Sequence, residues 1–366
     1  MWRRKVQVGV ILILLLVVCM PPSIAAAPSV SARNAVLMEQ STGRVLFEKA
    51  GHEQRNIASI TKIMTAIIAI ESGMLKEKVE VSHRAVYTEG SSVYLKEGQE
   101  ILLEDLVYGL MLRSGNDAAM AIAEHVGGSM EGFVVLMNEK AEWIGMTNSS
   151  FANPHGLDQE NHYSTAYDMA LLTRYAMDND LFRKVSRTES YRSKSVPYPW
   201  GNKNKMLTRY YEFSTGGKTG FTKSAGRTLV STAEKDGMEL IMVTLNAPDD
   251  WNDHTYSFEW GFENYSMKEL APEGKTELPN EEGTTGYLWN EVRLPLAAQE
   301  FGQIEERIHY FGDLSLLETG GVIGKKEYYL NGEPIQSVSI MGSPNPERES
   351  FMKRATNMLQ RLMGFQ

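Results

Sequence analysis

Two short apolar-rich runs, Ala35-Val36-Leu37-Met38-Glu39 and Val45-Leu46-Phe47-Glu48-Lys49, flank Gln40-Ser41-Thr42-Gly43-Arg44, a hairpin signal with glycine at the turn. The period then lengthens. Ile60, Ile63, Met64, Ile67, Ile68 and Glu71 recur at helical spacing and Gly73 closes the stretch, which predicts a buried helix beginning near Ser59. Further helical patterns cover Leu103 to Leu112, Asp117 to Val126, Met130 to Ile144 and Ala166 to Met177. From Gly216 the pattern reverts to strands, Gly216 to Thr222, Arg227 to Ala233 and Met238 to Asn246, with Glu234-Lys235-Asp236-Gly237 as a tight turn between the last two. Trp251 to Leu270 reads as a closing helix. Strands at both ends and helices between them predict an α/β fold of mixed topology: an antiparallel sheet of chain-distant segments, covered by helical layers.

Pro272 to Pro279 is polar, rich in Glu and Gly and bracketed by prolines, which predicts a domain boundary. Between Gly286 and Ile340, alternating apolar residues and the turn pairs Gly320-Gly321 and Asn331-Gly332 predict a small all-β C-terminal domain. After Gly342-Ser343-Pro344-Asn345-Pro346, Phe351, Ala355, Met358, Leu359, Leu362 and Met363 line one face of a helix whose basic residues lie largely elsewhere. That pattern fits a helix lying in a membrane surface; a terminal helix docked on its own domain is the alternative. The expected division is a leader at 1–27, a catalytic domain at 28–270, a β domain at 271–341, and a linker with an amphipathic helix at 342–366.

Composition narrows the function. The 366 residues are 42% hydrophobic and 23% charged, which excludes a disordered chain, and a net charge of −9 offers no global field for phosphate backbones, so no nucleic-acid partner is expected. The single cysteine, Cys19, sits in the apolar run Val6 to Met20, between Arg3-Arg4-Lys5 and Pro21-Pro22-Ser23-Ile24-Ala25-Ala26-Ala27. That is the order of a secretory signal peptide cleaved near Ala25 to Ala27. An uncleaved anchor is disfavoured by the short run and its prolines, and a lipid-modified Cys19 by the bulky Val18 before it. The protein is therefore expected outside the cytoplasmic membrane, without thiol catalysis or disulfides.

Three short patterns occur in order: Ser59-Ile60-Thr61-Lys62, Ser114-Gly115-Asn116 and Lys218-Thr219-Gly220. The first two are individually weak, since each is expected roughly once by chance in a chain of this length; Ser350 to Lys353 and Ser343 to Asn345 are such decoys. Context separates the upstream set. Ser59 and Lys62, at i and i+3 where a buried helix begins, share a face, which suits a nucleophile with its base. The helix N-terminus offers backbone N–H groups to a developing oxyanion. A lysine acts as base only when its pKa falls, which burial and a second cation such as Lys218 would cause. Lys218 and Thr219, on a strand after Gly216-Gly217, could hold a carboxylate. The bland alternatives are an N-cap serine beside a snorkelling lysine, a helix cap before Asp117, and an exposed strand end.

The ordered set resembles the penicillin-interacting serine enzymes. The flanking text Ile57 to Ala66, Leu112 to Ala119 and Gly216 to Gly220 is similar to that of the low-molecular-mass penicillin-binding proteins, the D-alanyl-D-alanine carboxypeptidases. Asn153-Pro154-His155-Gly156-Leu157 and His162 to Ala170 look like family text too, and the sequences around Ser59 and Arg113 to Gly128 look most like the sporulation-specific member, which trims spore-cortex peptidoglycan. The likeness is firm from about Ala35 to Tyr265. It implies a β-lactamase/transpeptidase-like architecture and removal of the terminal D-alanine from peptidoglycan stem peptides. Ser59 would attack the penultimate D-alanine carbonyl, Lys62 take its proton, Ser114 pass a proton to the leaving nitrogen, and Asn116 bind the substrate amide. Lys218 and Thr219, with Gly220 beside them, would hold the terminal carboxylate, and the N–H groups of Ser59 and Phe221 would form the oxyanion hole. β-Lactams would acylate Ser59, and no cofactor or metal is needed.

One departure stands out. Several family members have an arginine beyond the third motif that helps to hold the carboxylate, whereas no arginine occurs here between Leu229 and Trp260; His254 is a possible substitute. The histidines form no His-Glu-x-x-His pair, which disfavours a zinc carboxypeptidase; His155, His162 and His254 read as structural or rim residues. A secreted β-lactamase is the nearest rival, but its Glu-x-x-Leu-Asn occurs only at Glu327 to Asn331, after Lys218 and on an expected strand. A non-catalytic penicillin-binding sensor is the other alternative, against which the intact Ser59, Lys62 and Ser114 argue.

Overall fold

The computed structural model describes residues 27–278, 285–311 and 321–342. The leader and the C-terminal amphipathic helix therefore lie outside the described residues, as do the two decoy motifs.

The first hairpin is present as β1 (Asn34–Glu39) and β2 (Val45–Lys49). A 3₁₀ turn, Ala58–Thr61, leads into α1 (Lys62–Glu71). The helical layer continues with α2 (Leu103–Tyr108), α3 (Asn116–Gly127), α4 (Met130–Ile144), α5 (Ala166–Met177) and α6 (Asp180–Arg187). Strands β3 (Ser214–Thr222), β4 (Gly226–Lys235) and β5 (Met238–Leu245) follow, then α7 (Asp250–Asn264). The sheet order is β2-β1-β5-β4-β3, antiparallel throughout, so the first strand pairs with one about two hundred residues later and β3 lies at an edge.

Both faces of the sheet are covered, which is why its strands read as nearly continuous apolar runs. Val36, Met38, Val230, Ile241 and Val243 join the core under α1 to α6. Their strand neighbours Leu37, Leu229, Leu240 and Met242 point the other way and pack with Phe258 of α7. The period-two alternation thus sorts side chains between two cores. With Ile60, Ile63, Ile67 and Ala66 all buried, α1 runs through the centre of the helical core and holds its N-terminus still.

Two expectations need correction. The closing helix stops at Asn264, and Tyr265–Ala271 is a strand, β6. Tyr265 and Met267 pack inward while Ser266 and Lys268 are exposed, a period-two pattern that helical spacing had obscured. The helix α6 was not anticipated: it is short and polar, and starts where the Asn179 side chain accepts from the N–H groups of Leu181 and Phe182.

Beyond α7 the described residues form strands, apart from a 3₁₀ turn at Phe301–Gln303. Strands β7 (Gly274–Glu277), β8 (Thr285–Leu288), β9 (Val292–Ala297), β10 (Ile304–Tyr310), β11 (Val322–Leu330) and β12 (Glu333–Met341) follow β6. β6 pairs with β9, and the others form a sheet in the order β7-β8-β12-β11-β10 over a separate core that includes Leu288, Leu294, Tyr328 and Ile340. Arg44, from the first hairpin, reaches this region with a 2.6 Å ion pair to Glu300 and a hydrogen bond to Pro295 O.

Candidate active site

The nucleophile candidate sits on a turn held in an uncommon conformation. Ala58, directly before Ser59, has φ +50°, a left-handed backbone that persists only where its surroundings enforce it. Thr61 Oγ1 donates to Ala58 O at 2.8 Å, and Thr228 Oγ1 of β4 donates to Ile57 O at 3.0 Å. His162 Nδ1 accepts from Ala152 N–H, which leaves its proton on Nε2, facing Thr61 Oγ1 at 2.8 Å. Burial lowers the pKa of His162 to about 4, so the ring stays neutral and keeps this tautomer. Gly156 closes against the turn, where a Cβ would stand 2.0 Å from Ala58 O.

Lys62, one turn of chain further on, is fully buried. Its Nζ lies 2.7 Å from Asn116 Oδ1, 2.5 Å from His155 O and 3.0 Å from Ser59 Oγ. A neutral amine has two N–H donors and one lone pair. Two carbonyl acceptors take the donors, and the lone pair is left for the Ser59 hydroxyl. Burial first, then the cations Lys218 and Lys203, push the Lys62 pKa well below the ordinary lysine value, which favours that neutral form.

The second serine is delivered by irregular backbone. α2 ends in a π-turn, Gly109–Arg113, which throws Ser114 into the left-handed region at φ +63°. Asp117, buried in the first turn of α3, accepts from Val93 N–H, Leu95 N–H and Ser92 Oγ, fixing the loop beside Ser114. Across the gap, Lys218 Nζ donates to Ser114 Oγ at 3.0 Å and to Thr219 O at 2.8 Å. Burial, reinforced by Lys203, lowers the Lys218 pKa to about 7. Strand β3 passes so close to the turn that a Cβ on Gly220 would stand 2.9 Å from Ser59 N and 2.4 Å from Thr228 Oγ1.

These groups surround one cleft of about 440 Å³. Ser59, Ser114, Thr219, Gly220 and Phe221 line it. Lys62 and Lys218 sit behind the wall and reach it through the two serines. Asn116 does not line the cleft: its Oδ1 takes Lys62 and its Nδ2 donates to Glu89 O. His254 is no anchor, being fully buried, 2.9 Å from Thr244 and absent from the lining. Ser91, Lys203, Arg227, Asp250 and Trp251 also line the cleft and were missed. The signal for Arg227 is the hairpin that follows the third motif, two residues before the arginine-free stretch Leu229 to Trp260. A larger hollow of about 640 Å³, between Leu207–Phe213 and α7, contains neither serine–lysine pair.

Residues 22–249 match the S11 peptidase family model, described as D-alanyl-D-alanine carboxypeptidase. The chain belongs to that family. This serine carboxypeptidase is 30% identical over 351 residues to the carboxypeptidase DacF of Bacillus subtilis, covering 91% of this chain and 89% of that protein. It is 33% identical over 358 residues to DacC of Escherichia coli, covering 90% and 87%. Among solved structures, penicillin-binding protein 5 from Haemophilus influenzae superposes with a TM-score of 0.75 at 26% identity, covering 87% of the carboxypeptidase and 98% of that chain.

Proposed function

We propose that the carboxypeptidase works through an acyl-enzyme on Ser59 and that its substrates are peptidoglycan stem peptides ending in D-Ala-D-Ala. The observation that carries this reading is the pair of serine–lysine contacts, each 3.0 Å long and each with a buried lysine, that meet at one cleft. Ser59 Oγ attacks the penultimate D-alanine carbonyl while its proton passes to the Lys62 lone pair. The N–H groups of Ser59 and Phe221 receive the oxyanion. As the tetrahedral adduct collapses, Ser114 gives its proton to the leaving D-alanine nitrogen and recovers one from Lys218. The proton that Lys62 took then replaces, by way of water in the cleft, the one Lys218 gave up, and the Lys62 amine, neutral again, takes a proton from the water that cleaves the ester and returns it to Ser59 Oγ. Asn116, by holding Lys62, positions the base; its amide reaches a substrate only by exchanging Glu89 O. Thr219, Gly220 and Lys218 form the wall against which the substrate's terminal residue lies.

The chemistry is assigned to residues 28–270, and among the described residues the β region at 271–341 contributes none to the lining. The β-lactamase alternative lacks support at the cleft. Glu327 lies on β11, bonded to Lys325 and Tyr329, and the cleft's acidic residue is Asp250, which is ion-paired. The secretory pattern at 1–27 supports export, the amphipathic spacing within 342–366 supports attachment to the outer face of the cytoplasmic membrane, and the text around Ser59 and Arg113 to Gly128 supports a role in spore-cortex maturation. Intact-mass measurement after penicillin G treatment should show a single adduct mapping to the Ser59 peptide, absent from Ser59→Ala. An adduct elsewhere, or D-alanine release by Ser59→Ala, refutes the assignment. The same labelling on vesicle pellets, with and without 347–366, tests attachment; equal sedimentation counts against it.

A further inference from the structure

The cleft holds a guanidinium, that of Arg227, which takes no part in the proton transfers at the two serines. Arg227 opens β4, and residues opposite one another in an antiparallel pair share a face. Thr219 stands opposite Leu229, so the Thr219 side chain points to the α7 side of the sheet. Arg227, two residues before Leu229, is on that same face as the diagonal neighbour of Thr219. Diagonal neighbours are about 7–8 Å apart, within reach of an arginine side chain.

The contacts of the guanidinium are one-sided. Arg227 Nη2 donates to Asp250 Oδ1 at 2.6 Å, and the guanidinium carbon lies 5.4 Å from the Trp251 ring centre, both partners coming from the first turn of α7. Among the described residues that is the guanidinium's one hydrogen bond, and its Nε is buried with no partner. The Asp250 side chain is 3% exposed and that of Arg227 41%, so the acid shows little of itself to the cleft that both line while the base is open to it. A single end-on bond compensates the charge of Arg227 without using up its fork of donors, and a planar carboxylate is the group that such a fork fits. Lys203, also lining the cleft, keeps the site positive.

We propose that Arg227 anchors the free carboxylate of the substrate's terminal residue together with Thr219, and that Asp250 is the positioning residue that aims the guanidinium. The arginine missing downstream is thus supplied from the opposite end of the hairpin. This rests on the reading that the substrate lies in the Ser59 cleft. The competing role is a structural tie between β4 and α7.

The test compares kcat/KM of the full chain for a diacyl-L-Lys-D-Ala-D-Ala peptide with that for its C-terminal methyl ester, which lacks the charge. In Arg227→Gln the preference for the free acid should fall roughly 10- to 100-fold, the range for losing a hydrogen bond between charged groups. Arg227→Lys, which keeps the charge and loses the fork, should show a smaller fall in the same ratio and serves if the glutamine variant does not fold. Asp250→Asn should lower the ratio too. An unchanged ratio, whether or not both rates drop, overturns the proposal and leaves the structural tie. A wild-type chain that releases no D-alanine breaks the underlying reading instead.

Discussion

The two walls of the cleft carry the same pair of functional groups, a serine hydroxyl and a buried amine, and make different use of them. On the helical wall Ser59 and Lys62 are three residues apart, and Lys62 Nζ faces two carbonyl acceptors besides the serine. At the strand wall Lys218 of β3 meets Ser114, 104 residues away on the turn after α2, and Lys218 Nζ has one carbonyl besides that serine. Each lysine is buried, and Lys203 lowers the pKa of both, but Lys62 also feels the charge of Lys218. A second acceptor and a neighbouring cation make one amine the base; the other, poised at about 7, can still give up a proton near neutrality. Identical chemistry is divided into two roles by what surrounds each nitrogen.

That contrast can be broken most sharply at Lys62. Lys62→Met should slow acylation by labelled penicillin about 10²- to 10⁴-fold, the usual worth of a general base, while circular dichroism reports an intact fold. Labelling at the wild-type rate would place the base elsewhere. On the strand wall the effect is on stability. The folded-state pKa of Lys218, about 7, lies below the ordinary lysine value, so between the two the unfolded chain binds more protons and stability rises with pH. From pH 7 to 9 the unfolding free energy of the wild type should gain about 2 kcal/mol over that of Lys218→Met in urea titrations. Parallel pH slopes would show that Lys218 is not shifted. The smallest effect belongs to Lys203, whose charge acts on both walls. In Lys203→Met the Lys62 pKa rises, the amine stays protonated to higher pH, and the acid limb of the acylation profile moves upward. A limb that stays in place would remove Lys203 from the electrostatics of the site.

Much of this was readable along the chain. The helices Met130–Ile144 and Ala166–Met177 follow directly from apolar spacing, and the Ser59–Lys62 pair follows from one helical turn. The six residues beyond Asn264 were misread because helical spacing there overlaps a period-two pattern, and pairing with β9 decides between them. Arg227 escaped because its meaning depends on register: nothing in Ala225-Gly226-Arg227 says which face of the sheet the guanidinium will share, or that α7 will bring Asp250 and Trp251 to it.

What the sequence by itself determined is the set of elements and the local pair, since both depend on contacts between residues a few positions apart. Only the tertiary structure decided that Ser114 meets Lys218, that His155 offers its carbonyl to Lys62, and that Arg227 faces the cleft. Those contacts join segments tens to hundreds of residues apart. Their energetics come from removing charged groups from water, a property of the assembled interior that no stretch of chain possesses alone.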